Sequence, residues 1–166
     1  KKMGVRVHGP LRWDQDTLFV PRFDRERHPQ KGFVRKGLES LVSAMGVADF
    51  GVSRSHEDYL QVIAKYSTRP KIEIQEYILR DFLNIVMGNT DNHGRNTAFI
   101  KDLDDAIKLS PLFDFAPMTL DDSGIARVSK WKNEDVHIPN FMAIYELLLQ
   151  FKFTPEEAKF FLSTTF

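Results

Sequence analysis

The sequence predicts a mainly α-helical α+β fold, a helical body carrying short β-hairpins. Three observations lead there: apolar residues recur at three- and four-residue spacing, the β-prone runs are short, and several helix starts carry capping residues. A length of 166 residues fits one domain or one large lobe. With 42% hydrophobic and 28% charged residues, a packed core is expected and wholesale disorder is not. The 23 basic and 23 acidic side chains balance, which removes any bulk electrostatic reason to bind nucleic acid or an anionic membrane and leaves only a local patch open. No direct nucleic-acid partner is therefore expected. The absence of cysteine excludes disulfides, Fe–S clusters, thiolate zinc sites and a cysteine nucleophile. No apolar run approaches the roughly 18–20 residues of a membrane span, and no signal peptide is visible. A soluble, cytoplasmic protein is the expectation. The opening Lys1-Lys2-Met3 suggests a fragment.

The elements follow in order. Residues 3–8 and 17–21 are β-prone and are expected to pair as a hairpin across Gly9, Pro10 and Asp14-Gln15-Asp16. A charged stretch, Arg22 to Pro29, leads into a loop marked by Pro29, Lys31 and Gly32. Leu38, Leu41, Val42 and Met45 predict a helix over 36–45, ended by Gly46. Ser55 with Asp58 reads as a capping box opening a helix to about residue 67. Residues 71–87 give the strongest helix, roughly 25 Å long at 1.5 Å per residue. Its stripe is Ile74, Ile78, Phe82 and Val86 beside Leu79 and Leu83; Lys71, Glu73, Glu76 and Arg80 are expected on the wet side, and Gly88 stops it. Residues 89–96 are too polar for a buried element. Residues 97–101 and 106–110 predict a hairpin around Asp102-Leu103-Asp104-Asp105. Residues 118–139 read as irregular. Asn140 opens one helix, and Thr154-Pro155-Glu156-Glu157 opens the last, to about residue 163.

The chemistry concentrates in Asp91-Asn92-His93-Gly94-Arg95-Asn96 and in Asp114, 18 residues beyond Asn96. A polar loop after a long helix has a rigid support. The hairpin carries the chain out and back, so Asp91, Asn96 and Asp114 can converge. Two hard oxygen ligands suit Mg²⁺, which shares its shell with substrate phosphates. A separate carboxylate can take the proton of an attacking hydroxyl. Loop Asp as base, loop Asn on metal and later Asp on metal is the layout of phosphoryl transfer. Taken alone, the loop also reads as a self-satisfied turn; the long helix, hairpin and Phe113-Asp114-Phe115 together favour chemistry.

Gly88 to Asn96, with Leu109-Ser110-Pro111-Leu112-Phe113-Asp114, resembles the catalytic and metal loops of HipA-like serine/threonine kinases, the toxins of bacterial toxin–antitoxin systems. Phe19-Val20-Pro21-Arg22-Phe23-Asp24-Arg25 resembles the interlobe hinge of that family. The resemblance runs from about residue 17 to the C-terminus. The Asp-x-His-x-x-Asn form also resembles the catalytic loop of phosphatidylinositol kinases. The resemblance implies a kinase-like C-lobe over 25–166, with 1–24 as the last N-lobe hairpin and hinge. It implies Asp91 as catalytic base, Asn96 and Asp114 as Mg²⁺ ligands, and His93 near the nucleotide phosphates. Phe23 and Asp24 would hold adenosine, the ring covering the base and the carboxylate accepting from a sugar hydroxyl. ATP and Mg²⁺ are the implied cofactors. The implied partners are a protein substrate such as an aminoacyl-tRNA synthetase, a helix-turn-helix antitoxin, and an N-lobe in cis or on another chain.

Blander roles stand beside these. His93 can brace its loop, Phe23, Phe113 and Phe115 can be core residues, and Arg22, Arg25 and Arg27 can be a solvated stretch. The phosphate-holding Lys and phosphate loop of a kinase cannot be placed in these residues, so the chain alone is expected to be inactive and to bind ATP poorly. Asp114 is followed by Phe115-Ala116, so a Phe-Gly flip is not implied. Two other functions are weighed: a non-catalytic antitoxin- or partner-binding module with a vestigial site, and a metallophosphoesterase. The second needs several histidines, whereas His8, His28, His56, His93 and His137 each lack a second ligand at i+2 or i+4.

Overall fold

The computed structural model describes residues 4–49, 51–118, 122, 126–136 and 138–166. The expectations for Lys1, Lys2, Met3 and His137, and part of the irregular stretch 118–139, lie outside the described residues. Among the described residues, three small antiparallel sheets accompany five helices. Strands β1 (Arg12–Asp14) and β2 (Thr17–Phe19) form one hairpin, and β3 (Arg25–His28) and β4 (Gly32–Arg35) a second. Strand β5 (Gly37–Ser40) pairs with β6 (Ala98–Lys101), which pairs with β7 (Ile107–Leu109). The helices are α1 (Leu41–Ala44), α2 (His56–Tyr66), α3 (Pro70–Val86), α4 (Phe141–Gln150) and α5 (Pro155–Thr165). Among the described residues no helix is long and apolar enough to cross a membrane.

The body is built on α2 and α3. The capping box expected at Ser55 is present: Ser55 Oγ accepts from the Asp58 amide, and Asp58 accepts from the Ser55 amide. Thr154 and Glu157 make the same reciprocal cap on α5, and the Asn140 side chain caps α4. Tyr59, Leu60 and Ile63 of α2 pack on Ile74, Tyr77 and Ile78 of α3. Leu41 and Val42, Phe99 and Leu109 of the sheet, and Ile144, Leu148 and Phe161 belong to the same buried cluster. Each fully buried large apolar side chain contributes about 1.5–3 kcal/mol, so this cluster is the principal source of stability.

Three expectations change. The described residues 4–8 do not pair with 17–21. The hairpin is β1–β2, turning at Gln15 with φ 51°, while Val7 instead bridges Leu112 in parallel. The segment 36–45 is not one helix: Gly37–Ser40 is a sheet edge on β6, and Ser40 caps a single turn at Leu41. Sheet pairing outweighed the apolar spacing there, and Leu38 stays largely exposed. The charged stretch after residue 24 contains the hairpin β3–β4 rather than only a loop.

The wet side of α3 also differs. Lys71 is on the surface, paired with Glu157, but Glu73, Glu76 and Arg80 are buried. Arg6 arrives from the N-terminal segment and pairs with both Glu73 and Glu76, and Arg80 pairs with Glu76. Two arginines and two glutamates thus neutralise one another inside, the condition under which buried charges are tolerated.

Candidate active site

Helix α3 ends where Gly88 takes a left-handed φ of 67°. Asn89 then folds back on the helix, its amide donating to Asn84 O at 2.8 Å and its Nδ2 to Asn84 Oδ1 at 2.9 Å. The loop that follows is fastened from inside by Asn92. Its Oδ1 accepts from the amides of Val128 (3.1 Å) and Ser129 (2.9 Å), and its Nδ2 donates to Ser129 O (3.0 Å). Gly94 lies against the buried ring of Tyr59, where a Cβ would come within 2.5 Å of ring atoms. Asn96 closes the loop: its Nδ2 donates to Asp91 O at 3.0 Å and its amide to His93 O at 2.9 Å.

Beneath the loop lies a buried polar cluster around Asp81 of α3. Arg127 donates to both Asp81 oxygens at 3.0 and 2.9 Å, and Trp131 Nε1 donates to Oδ2 at 2.8 Å. His56 Nε2 lies 3.2 Å from Oδ1, and its Nδ1 meets the Tyr77 hydroxyl at 2.8 Å. Burial opposes ionisation of Asp81. The charge of His56 whenever that ring is protonated, Arg127, and the bonds from Arg127 and Trp131 outweigh it and hold the carboxyl below its usual range. For His56 the balance falls the other way: burial lowers its pKa against the pull of Asp81, so the ring is neutral near pH 7.

The other wall is the segment after β7. Ser110 donates its amide to Ala98 O at 2.7 Å, and Leu109 donates to Glu73 Oε2 at 2.8 Å. Arg80 Nη2 reaches Ser110 O at 2.6 Å, and the Leu112 amide donates to Arg6 O at 2.8 Å. The buried charges of α3 therefore set where residues 109–112 run. Four residues beyond Ser110, Asp114 is exposed and left-handed, with φ 52°. A non-glycine in that region costs of order 1 kcal/mol and persists where its surroundings impose it.

Asp91, His93, Asn96 and Asp114 line one cleft, floored by Arg80 and Asp81. His93 Nε2 is 3.6 Å from Asp91 Oδ1, and both side chains are partly open to solvent. Phe23 and Asp24 do not line this cleft. Phe23 borders a neighbouring pocket with Val5, Ile100 and Leu109, and its ring meets that of Phe113, which lines the cleft, with centroids 5.6 Å apart. Asp24 is held by Arg22 through bonds of 2.6 and 2.5 Å, which keep its carboxyl below the usual range.

The donor set can be tested against Mg²⁺. Asn96 uses its Nδ2 on the loop, which leaves Oδ1 for a ligand, and Asp114 presents an exposed carboxylate. Both are hard oxygens and fit that ion. Two protein ligands suffice only if water and phosphate supply the rest, which is how Mg²⁺ is commonly held. Among the described residues no group of three or more His, Asp or Glu can hold a metal alone.

Sequence reasoning passed over Asn92, Arg127, Trp131 and the His56–Asp81 pair. The one available signal was Asp81, a charge set between Ile78 and Phe82 on the apolar stripe of α3. Nothing in the spacing pointed to Arg127, 46 residues away.

Three comparisons with known proteins agree. A model of the HipA-like C-terminal domain matches residues 2–161. The putative kinase Y4mE of Sinorhizobium fredii (strain NBRC 101917 / NGR234) is 29% identical over 102 residues, 58% of this chain and 24% of that protein. In the Shewanella oneidensis MR-1 complex of HipA, HipB and operator DNA, the matching chain superposes with a TM-score of 0.70 at 17% identity, over 96% of this chain and 42% of that one. The last likeness shows a shared fold, and the chain spans well under half the length of either relative. A family match that runs nearly end to end over the helices, the polar loop and the hairpin decides the assignment: the chain belongs to the HipA-like C-terminal domain family.

Proposed function

We propose that the protein to which this chain belongs is an ATP- and Mg²⁺-dependent serine/threonine protein kinase. The observation that carries this reading is the meeting of Asp91, Asn96 and Asp114 in one cleft, with the loop of the first two fastened independently of the segment bearing the third. Asp91 is the general base, taking the proton of a serine or threonine hydroxyl as its oxygen forms a bond to the γ-phosphorus and ADP departs. His93, 3.6 Å from Asp91, steadies that carboxylate and faces the phosphates. Asn96 Oδ1 and the Asp114 carboxylate hold Mg²⁺, which when bound neutralises charge on the phosphate oxygens. Phe23 and Asp24 hold the nucleoside, with Arg22 as the partner that Asp24 must share.

On this reading residues 1–24 are the last hairpin and hinge of an N-lobe, which is supplied in cis or on another chain. The exposed apolar residues of β1–β2 support it: Trp13 and Leu18, paired across the hairpin on one face, are 69% and 48% open to solvent, and Phe19 on the other face is 51% open. The protein substrate, such as an aminoacyl-tRNA synthetase, the toxin role and a cytoplasmic location follow from the family resemblance. A helix-turn-helix antitoxin as partner rests on the same resemblance and on the HipA–HipB assembly of the Shewanella relative.

The test is phosphoryl transfer by the full-length protein with γ-labelled ATP and a serine-containing protein substrate. Asp91→Asn is expected to lower turnover about 10²–10⁴-fold. Transfer at the wild-type rate by that variant sinks the assignment of the base. A full-length protein that binds partners yet never transfers phosphate would establish the alternative, a binding module with a vestigial site.

A further inference from the structure

The chain has no net charge, but its charges are sorted by face. In the β3–β4 hairpin Arg25 is registered directly against Arg35, and Arg27 against Phe33. Side chains alternate across a strand, so these four residues share one face, and Glu26, His28 and Val34 share the other. On the second face His28 and Val34 are half-buried, and Lys36, the residue after β4, binds Glu26 at 3.1 Å and Asp102 at 2.7 Å and ties the hairpin to the β6–β7 turn.

The first face is open. Phe33 is 76% exposed, and Arg25, Arg27 and Arg35 are all exposed. Among the described residues Arg27 and Arg35 have no ion pair. Arg25 reaches only Asp24, at 3.9 Å, a carboxylate already bound by Arg22 at 2.5 Å. Like charges directly opposed on a sheet destabilise it, and no acid on this face relieves them. An anion laid along the hairpin would. Arg25 and Arg27 stand about 7 Å apart along the strand at roughly 3.4 Å per residue, a row of planar donors that suits successive phosphates. The exposed ring of Phe33 beside Arg27 adds what an acidic peptide does not require, a flat surface for a base. Guanidinium groups alternating with an open aromatic ring are the means by which single-stranded nucleic acid is held without sequence readout.

We propose that the outward face of β3–β4, formed by Arg25, Arg27, Phe33 and Arg35, is a binding surface for single-stranded nucleic acid. Fluorescence anisotropy of the full-length protein with labelled unstructured RNA and DNA 15-mers tests it. Three neutralised phosphates predict about 20-fold weaker binding between roughly 50 and 200 mM salt. Arg27→Gln/Arg35→Gln is expected to weaken binding about tenfold or more at low salt and to flatten the salt dependence. Phe33→Ala is expected to weaken it about fivefold or more while leaving the salt dependence unchanged. If the double variant misfolds by circular dichroism, Arg27→Gln alone replaces it. Tighter binding of the RNA or of the DNA 15-mer identifies the sugar recognised, and either result supports the proposal. It is overturned if neither oligonucleotide binds, if the variants bind as wild type does, as they would were this face covered by the rest of the protein, or if polyglutamate of equal charge competes as well as the oligonucleotide, which would assign the face to an acidic protein.

Discussion

The two sides of the loop from Asn89 to Asn96 differ in how they are held. Asn92 faces the body, is 8% exposed, and has both its amide oxygen and its nitrogen bonded to the segment 128–129. Its neighbours Asp91 and His93 face the cleft with side chains about a third exposed, and meet each other at 3.6 Å. Adjacent polar residues in one short loop thus have separate tasks. One side immobilises the backbone, so that the other can present groups whose positions are set but whose bonding capacity is open.

The comparison can be broken by substitutions that touch one side only. The largest effect expected is that of Asp91→Asn on transfer, with a thermal midpoint equal to wild type, since its carboxylate is partly solvated and approaches His93 only at 3.6 Å. A large drop in midpoint would mean that the cleft side is structural. Arg127→Met should do the reverse. It leaves Asp81 charged, buried and without its main partner, at a cost of about 3–5 kcal/mol in urea unfolding. An unchanged unfolding midpoint would show that the wall does not depend on the Asp81 cluster. Gly94→Ala sits between the two, because its Cβ would meet Tyr59 at 2.5 Å and that ring is 1% exposed. The loop must lift, costing about 1–3 kcal/mol and lowering turnover together with stability. Loss of one without the other, measured on the same preparation, would separate sides that the structure joins.

The smallest effect is a slope. The folded pKa of His56 lies below its usual value through burial, so as pH falls below about 6.5 protons bind the unfolded chain first. Its contribution to stability is complete above about pH 6.5 and declines as the pH drops toward the folded value, by at most about 1.4 kcal/mol per pH unit. Asp81 has a lowered folded pKa as well; its contribution is present above about 3.9, the unfolded value, and is lost only as pH falls through the folded one. In a His56→Gln variant, thermal midpoints should lose the decline that sets in as pH falls below about 6.5. A decline that persists in the variant would place the upper titration elsewhere.

Local signals were legible where they are settled locally. The capping boxes at Ser55 and Thr154, the stop at Gly88 and the β6–β7 hairpin each depend on residues a few positions apart. The polar loop and Asp114 were legible for the same reason, since a long helix before the loop and a chain reversal after it bring the two to one cleft. What depended on distant partners was not. Glu73, Glu76 and Arg80 read as a solvent face because their partners, Arg6 and Ser110 O, lie outside the helix. The 36–45 segment read as a helix because its apolar spacing is visible and its pairing with β6 is not. The four-residue face on β3–β4 was hidden by a composition that sums to zero.

The bond from Asn96 Nδ2 to Asp91 O has one further consequence. It closes a small ring of chain through the two residues that this reading makes proton acceptor and cation holder. Motion of the rest of the molecule about this loop can bring a hydroxyl nearer or carry it away, while the bond keeps the backbone of these two residues at a fixed separation. That interval is a built-in yardstick, and whatever adapts to a new substrate must do so outside it.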